Sequence, residues 1–467
     1  MENESLTEKV YDFIIVGSGA SGGVLAHNLN KAGASCLLVE AGKFFRKDTF
    51  PKTEFDYTSK LFWGGGIEFD ESGKMAYLRA KCVGGTTIVN QCLLDRFDEA
   101  AFSEWRLFSG IKFFNEDFMS EYYKKIENSL VLKDIEEKHF NKNTKIFTEG
   151  CDKNGFGWCA LRRGESDCKL DEGNDCIGCL GGCHRDSKQS TMATFIQKAE
   201  KEGLNILSEF YAEKIDYFRH IVVVHGKKNN ETISLRASKV ILAGGSFGTT
   251  KLLLNSGFKK KLPALGKGFS SHPQFMNFAI YDEEINAHKG AFQSVKSKDD
   301  NFRKQGFKLE NVFAPPISIA MLYSKLGLEH QKFMKKYKNL ACIEIAVRDE
   351  AIGELSLDNK GKLIIKKHLS SQDKKRRDIG LEAVRKIFES TGAKEVFESP
   401  YYFGLHLMGG ASIGNNPNKS VVNENFHLHN YENIYVSDSS IFPNAPGINP
   451  ALTIMSLSQL LSEKLIS

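Results

Sequence analysis

The chain has no run of about eighteen uncharged apolar residues, so no segment is expected to span a membrane. Its N-terminus, MENESLTEKV, lacks the apolar stretch of a secretory signal, and the expected compartment is the cytoplasm. An excess of one charge is missing too. Sixty-three lysines and arginines against 58 aspartates and glutamates leave a net charge of +5, mixed along the sequence. The short basic runs Lys259–Lys261 and Lys374–Arg377 come without aromatic platforms or a nucleic-acid motif. They read as solvated faces, and no nucleic-acid partner is expected. What is present suits a soluble globular protein with a substantial core. Of the 467 residues 41% are apolar, enough for two or three domains or one large domain with insertions.

The most informative stretch is YDFIIVGSGASGGVLAHNLNKAGASCLLVEAG, starting at Tyr11. The apolar run Phe13–Val16 ends in Gly17-x-Gly19-x-x-Gly22, and an amphipathic helix follows with Val24, Leu25 and Leu29 on its inner face. A second apolar strand, Cys36–Val39, ends in Glu40. This is the strand–turn–helix–strand order of a dinucleotide-binding Rossmann unit. Gly17 would make the tight turn, Gly19 would admit a pyrophosphate, and Gly22 would let the helix pack on the strand. The helix N-terminus would face the phosphate charge, and Glu40 would accept hydrogen bonds from ribose hydroxyls. The unit alone does not separate FAD from NAD.

Four further stretches sharpen the reading: KCVGGTTIVNQ (Lys81–Gln91), VILAGGSFGTTKLLLNSG (Val240–Gly257, with a helix expected from near Thr249), LGKGFSSHP (Leu265–Pro273), and HLMGGASIG (His406–Gly414) followed by NIYVSDSSIFPNAPGINPALTIMSLSQLLSEKL. Together with the first unit they resemble the glucose–methanol–choline (GMC) family of FAD-dependent oxidoreductases, nearer its long-chain alcohol oxidase and cholesterol oxidase members. The resemblance implies an α/β fold: a Rossmann-type FAD-binding domain with a discontinuous α+β substrate domain on a mixed or antiparallel sheet. Segments 8–45, 76–95, 186–275 and 404–467 would form the FAD domain. Segments 46–75, 96–150 and 276–403 would form the substrate domain, with 151–185 a cysteine-rich insertion. Gly17, Gly19, Gly22 and Glu40 carry over as FAD contacts. Gly84, Gly85, Thr86 and Asn90 would lie near the flavin, Ala212 near adenine, and Asp438 near the ribityl chain and pyrophosphate. Covalently flavinylated members have histidine directly before the position of Asn90; Val89 stands there, so FAD is expected to be non-covalent.

Alcohol oxidation needs a base for the hydroxyl proton while hydride leaves carbon, and histidine suits that task. His406 precedes a Gly-Gly turn in the segment that the family folds against the flavin, and the resemblance makes it the proton acceptor facing flavin N5. Asn449 is the partner position, where an amide would orient the hydroxyl and sit near the flavin. It also precedes Pro450 at the head of a helical stretch, where it would serve as an N-cap. The Gly-Gly form after His406 is shared with cholesterol-oxidase-like members.

Cysteine is plentiful: ten in all, six of them between Cys151 and Cys183. In a cytoplasmic chain this reads as metal or redox chemistry rather than disulfides. CIGCLGGCHRDSKQS (Cys176–Ser190) spaces three as C-x2-C-x3-C. Three readings stay open. Cys176, Cys179 and Cys183 with Cys168 or Cys159 would hold an iron–sulfur cluster; the same thiols with His184 would hold zinc; or the cysteines are reduced loop residues. The functional expectation is FAD-dependent oxidation of an alcohol, apolar or long-chain, with an electron-acceptor protein or oxygen taking the electrons. The alternatives are a flavin-dependent lyase on the same scaffold, and an electron-transfer module without its own substrate.

Overall fold

The computed structural model describes residues 7–467; the first six residues of the polar N-terminal stretch lie outside it. Strand β1 (Val10–Val16) is the buried apolar run before the glycines, and helix α1 (Ala20–Lys31) and strand β2 (Cys36–Val39) follow. β1 lies parallel to β2 on one side and to Glu231–Leu242 on the other, in the register Val16↔Val39 and Val16↔Leu242. The first sheet runs His427–Leu428, Tyr431–Val436, Glu231–Leu242, β1, β2, Asn205–Leu207. Two antiparallel strands, Val222–Lys228 and Tyr211–Tyr217, hang from Glu231–Leu242. A parallel centre covered by crossover helices suits its continuous apolar strands, since both faces are buried. The helix after the Val240–Leu242 strand spans Gly245–Asn255, four residues earlier than the sequence suggests. Gly245 adopts φ +72° there, which lets the chain turn straight from strand into helix.

A second sheet stands beside the first. Its order is Glu68–Phe69, Met75–Tyr77, Glu395–Gly404, β3 (Pro273–Ile280), β5 (Leu340–Val347), β4 (Phe307–Asn311), Val295–Ser297 and Trp158–Ala160. β3, β4 and β5 pair antiparallel. β3 and β5 are buried at all eight positions, yet they carry Gln274 and Glu344 on one face. A strand that spends polar residues on a buried face does so at a cost unless they are partnered, so this face has a task beyond packing. The 20-residue helix Ser371–Ser390, started by a capping box of Ser370 and Asp373, packs against this sheet.

The C-terminal helix α2 (Ala451–Ile466) lies on α1, where Asn28 Nδ2 donates to Gln459 Oε1 at 2.7 Å and to Ser462 Oγ at 2.9 Å. Trp105 and Tyr123, from the helices Glu99–Ser109 and Glu116–Glu127, enter the same core, and Tyr123 Oη meets Thr453 Oγ1 at 2.7 Å. No helix among the described residues is long and apolar enough to cross a membrane.

Candidate active site

The glycine turn is built as its sequence demands. Gly17 has φ +101°, and a Cβ on Gly22 would stand 1.8 Å from the Gly17 carbonyl oxygen, so both positions admit only glycine. At Gly19 a Cβ would meet nothing within 4 Å, which leaves open space at the head of α1. No side chain caps that helix, and its first-turn N–H groups stay available to an anionic group. Glu40, at the end of β2, ties the turn down: its Oε2 accepts from Ser18 N–H at 3.1 Å and Ser18 Oγ at 2.7 Å, and Oε1 from Gly42 N–H at 2.9 Å. Its carboxylate is thus first a loop anchor, with its remaining acceptor capacity left for a ribose. Burial lifts Glu40 above the ordinary carboxylate range, against the pull of these donors.

The 81–91 segment reaches the same place. Gly84 N–H donates to Ser18 Oγ at 2.9 Å, and a Cβ on Gly85 would lie 2.8 Å from Gly19 Cα. Thr86 is exposed on this loop, Asn90 is partly so, and Asn90 Oδ1 accepts from Cys92 N–H at 3.0 Å. Ala212 is half-buried on Tyr211–Tyr217, beside the Phe210 N–H bond to the Glu40 carbonyl at 2.9 Å. Asp438 is buried; it accepts from Gly245 N–H at 2.8 Å, Thr249 Oγ at 2.5 Å and Ser440 N–H at 2.8 Å. Gly17, Glu40, Gly84 and Asp438 therefore gather at one edge of the first sheet, at the carboxyl ends of its parallel strands. The two glycine turns touching, with an uncapped helix end and a void at Gly19, fit a flavin dinucleotide.

His406 stands where this edge meets the second sheet. Gly409 N–H donates to the Ser439 carbonyl at 2.9 Å and Ser246 Oγ donates to the Gly409 carbonyl at 2.8 Å, which fastens the histidine segment to the residues around Asp438. A residue that sequence reasoning did not single out lies against it: His272 Nδ1 is 2.9 Å from His406 Nδ1. Gly447 N–H donates to His272 Nε2 at 2.9 Å, so the shared proton rests on His272 Nδ1. His406 Nδ1 is then the acceptor, and neutral His406 carries its own proton on Nε2. Burial, and then the Lys308 ammonium, hold the His406 imidazolium down to about 3. His272 is pushed well below the usual histidine range by burial and by His406.

Lys308 is the second residue the sequence reading passed over. Its Nζ donates to Asn449 Oδ1 at 2.7 Å and forms an ion pair with Glu310. Burial pulls this ammonium down, and the carboxylates of Glu310, Asp95 and Glu344 together more than offset it, so the net shift is upward. Because Oδ1 of Asn449 is taken by a pure donor, its Nδ2 is the free end of the amide. Asn449 does not cap α2: Pro450 occupies the cap and no side chain bonds there, because the amide oxygen is already held by Lys308. Lys308, Glu310, Glu344 and Gln274 share one face of the second sheet, as the register Glu310↔Glu344 and Ala346 opposite both Lys308 and Gln274 require. Gln274 Nε2 donates to Glu344 Oε1 at 2.8 Å. Burial and the repulsion of Glu310 push Glu344 up to about 8.

The cysteines depart from expectation. Cys168 lies beside Cys176 and Cys179 beside Cys183, and Cys168 Sγ donates to Glu165 Oε2 at 3.0 Å. The buried Arg163 guanidinium donates to Cys176 Sγ at 3.2 Å and to Gln91 Oε1 at 3.0 Å. Among the described residues no group of three or more cysteine, histidine or acidic side chains is disposed to hold a metal ion. The iron–sulfur or zinc set Cys168, Cys176, Cys179, Cys183 is therefore not formed. The thiols point two and two, and a fixed cation that can only donate stands among them. His184 faces the Lys47 carbonyl at 3.1 Å instead, Cys151 is buried in the second core, and Cys159 lies on Trp158–Ala160. Lys188, buried beside the pairs, donates to the carbonyls of Asn90 at 2.8 Å and Cys179 at 2.7 Å, tying this loop to the 81–91 segment.

A dinucleotide cradle beside a hydrogen-bonded histidine pair, at a polar sheet face, defines a flavin-dependent oxidoreductase. The GMC oxidoreductase N- and C-terminal models match residues 11–274 and 352–458, together more than half of the chain. The chain belongs to the GMC oxidoreductase family, which works on FAD. It is 27% identical to a long-chain-alcohol oxidase of Arabidopsis thaliana over 97% of its own length and 67% of that protein's. It is 23% identical to a cholesterol oxidase of Acinetobacter baumannii, covering 96% of this chain and 93% of that one. The pyridoxine 4-oxidase of "Mesorbium loti" superposes with a TM-score of 0.74 at 14% identity, over 97% of this chain and 99% of that one, and shows the same fold.

Proposed function

We propose that the protein oxidises an alcohol to a carbonyl compound, with His406 receiving the hydroxyl proton and Asn449 Nδ2 holding the hydroxyl oxygen. FAD, when bound in the cradle, supplies the hydride acceptor. The observation that carries this reading is the pairing of an imidazole oriented by His272 with an amide whose free end is fixed by Lys308. A neutral imidazole can accept a proton and an oriented amide can donate a hydrogen bond, which are the two demands of the step. To accept at Nε2, His406 must first give its Nε2 proton to water and carry the shared proton on its own Nδ1, while His272 takes a proton from water on Nε2. His272 then holds its proton on Nε2 and gives up the Gly447 hydrogen bond. The histidines change tautomer as a pair.

The relatives' names support a long-chain alcohol as substrate and oxygen as the electron acceptor. The test is anaerobic mixing of FAD-loaded protein with primary alcohols of increasing chain length and with a sterol. Bleaching of the flavin band with carbonyl formation, faster for longer chains, supports the proposal. Product formed without bleaching, or no reaction with any alcohol, overturns it.

A further inference from the structure

The apolar stretch Val312–Leu328 is only half absorbed by the core. It forms two short helices, Pro316–Met321 and Gly327–Lys335, folded on each other. His330 Nε2 meets the Ala320 carbonyl at 3.0 Å, and Tyr323 stacks on Phe333 with ring centroids 4.1 Å apart. Their inner side chains, Ile319, Leu322 and Phe333, close the second core. The outer ones are apolar as well: Ile317 is 47% exposed, Met321 54%, Leu326 86% and Leu328 74%. Phe55, 74% exposed, stands on the helix Glu54–Leu61, whose Glu54 carboxylate accepts the N–H groups of Ile317 at 2.8 Å and Ser318 at 2.7 Å.

Charge around the patch is mainly basic, although Glu54 lies against it and Glu395 and Glu284 stand 3.8 and 3.7 Å from Lys336 and Lys338. Residues 316–338 hold five lysines (325, 332, 335, 336 and 338) and one glutamate, Glu329, so their net charge is 5 − 1 = +4, against +5 for the whole chain. Among the described residues no carboxylate lies within ion-pair distance of Lys332 or Lys335. Single exposed apolar side chains are ordinary; five large ones beside a basic rim have the make-up of an interfacial anchor. A second copy seated on the same patch would set Lys332 and Lys335 against their own counterparts, which disfavours self-association there.

We propose that this helical hairpin docks the protein on an anionic lipid bilayer, with Phe55, Ile317, Met321, Leu326 and Leu328 entering the acyl boundary and the lysines meeting the headgroups. The protein then lies on a membrane and does not span it. The docking is independent of which alcohol the flavin accepts.

The test uses FAD-loaded full-length protein and sucrose-loaded vesicles of phosphatidylcholine, with or without phosphatidylglycerol, at low and high salt. Binding to the anionic vesicles is expected to be at least about tenfold tighter than to neutral ones and to weaken with salt. The double change Leu326→Ser with Leu328→Ser should lose at least about tenfold in binding to both, with flavin content and circular dichroism unchanged. Lys332→Glu with Lys335→Glu should lose binding only to the anionic vesicles. No co-sedimentation of the wild type, or wild-type binding by the leucine variant, overturns the proposal. So does a lipid-free dimer that the leucine variant converts to monomer, which would assign the patch to a second copy.

Discussion

Replacing Lys308 by methionine separates what this residue does for stability from what it does for the site. The Lys308 side chain is 13% exposed and its partner Glu310 2%, so the change leaves a buried carboxylate unpaired. Breaking a buried pair from one side costs about 3–5 kcal/mol, and urea denaturation should show a loss of that size. The double change Lys308→Met with Glu310→Gln removes the stranded charge as well and should restore most of the lost stability. It should not restore the site. Asn449 Oδ1 has lost its donor, and with it the force that turns Nδ2 outward. A hydrogen bond to a charged group contributes about 1.5–3 kcal/mol, so flavin reduction should remain roughly 10- to 100-fold slow in stopped flow. The His406 imidazolium, no longer facing a cation, should titrate at higher pH in both variants. A stable double variant that reduces its flavin at the wild-type rate would refute the positioning role of Lys308.

Gly19→Ala should leave the flavin-free protein as stable as wild type, because the new methyl meets no protein atom, and should weaken FAD retention; equal flavin occupancy would move the phosphate site elsewhere. Gly22→Ala, 1.8 Å from the Gly17 carbonyl, should lower both thermal stability and flavin occupancy in the purified protein. The folded state holds His406 neutral down to about pH 3, whereas the unfolded chain protonates it near 6.5. The unfolded state binds more protons between those values, so stability should fall as pH drops from 6.5, and His406→Gln should lose part of that fall in urea titrations. In 15N-labelled protein the His406 ring should appear neutral with its proton on Nε2; a resting Nδ1–H ring would remove the ordering assigned to His272.

The glycine cradle was legible because each of its features is local: a turn conformation, a helix start and an acidic residue at fixed spacing on one strand–helix–strand unit. Touching of the 17–22 and 84–86 turns is a long-range fact, and the resemblance to a known family supplied it. His272 lay inside the quoted LGKGFSSHP stretch, but nothing near it in sequence says that it meets His406, 134 residues away. Lys308, Glu310 and Glu344 were illegible for another reason: on an alternating strand they look like solvated positions, and only the antiparallel register puts them on the buried face over the site. The cysteines misled by spacing alone. C-x2-C-x3-C permits convergence on a metal, but side-chain direction decides it, and here the turn sends the thiols into two pairs beside Arg163.

Anaerobic flavin reduction by a saturating primary alcohol, in wild type and in His406→Ala with equal flavin content, tests the central claim most directly. Removal of a positioned base is expected to slow reduction about 10²-fold or more while FAD stays bound. Reduction at near wild-type rate in His406→Ala would contradict the assignment of the hydroxyl proton to this histidine.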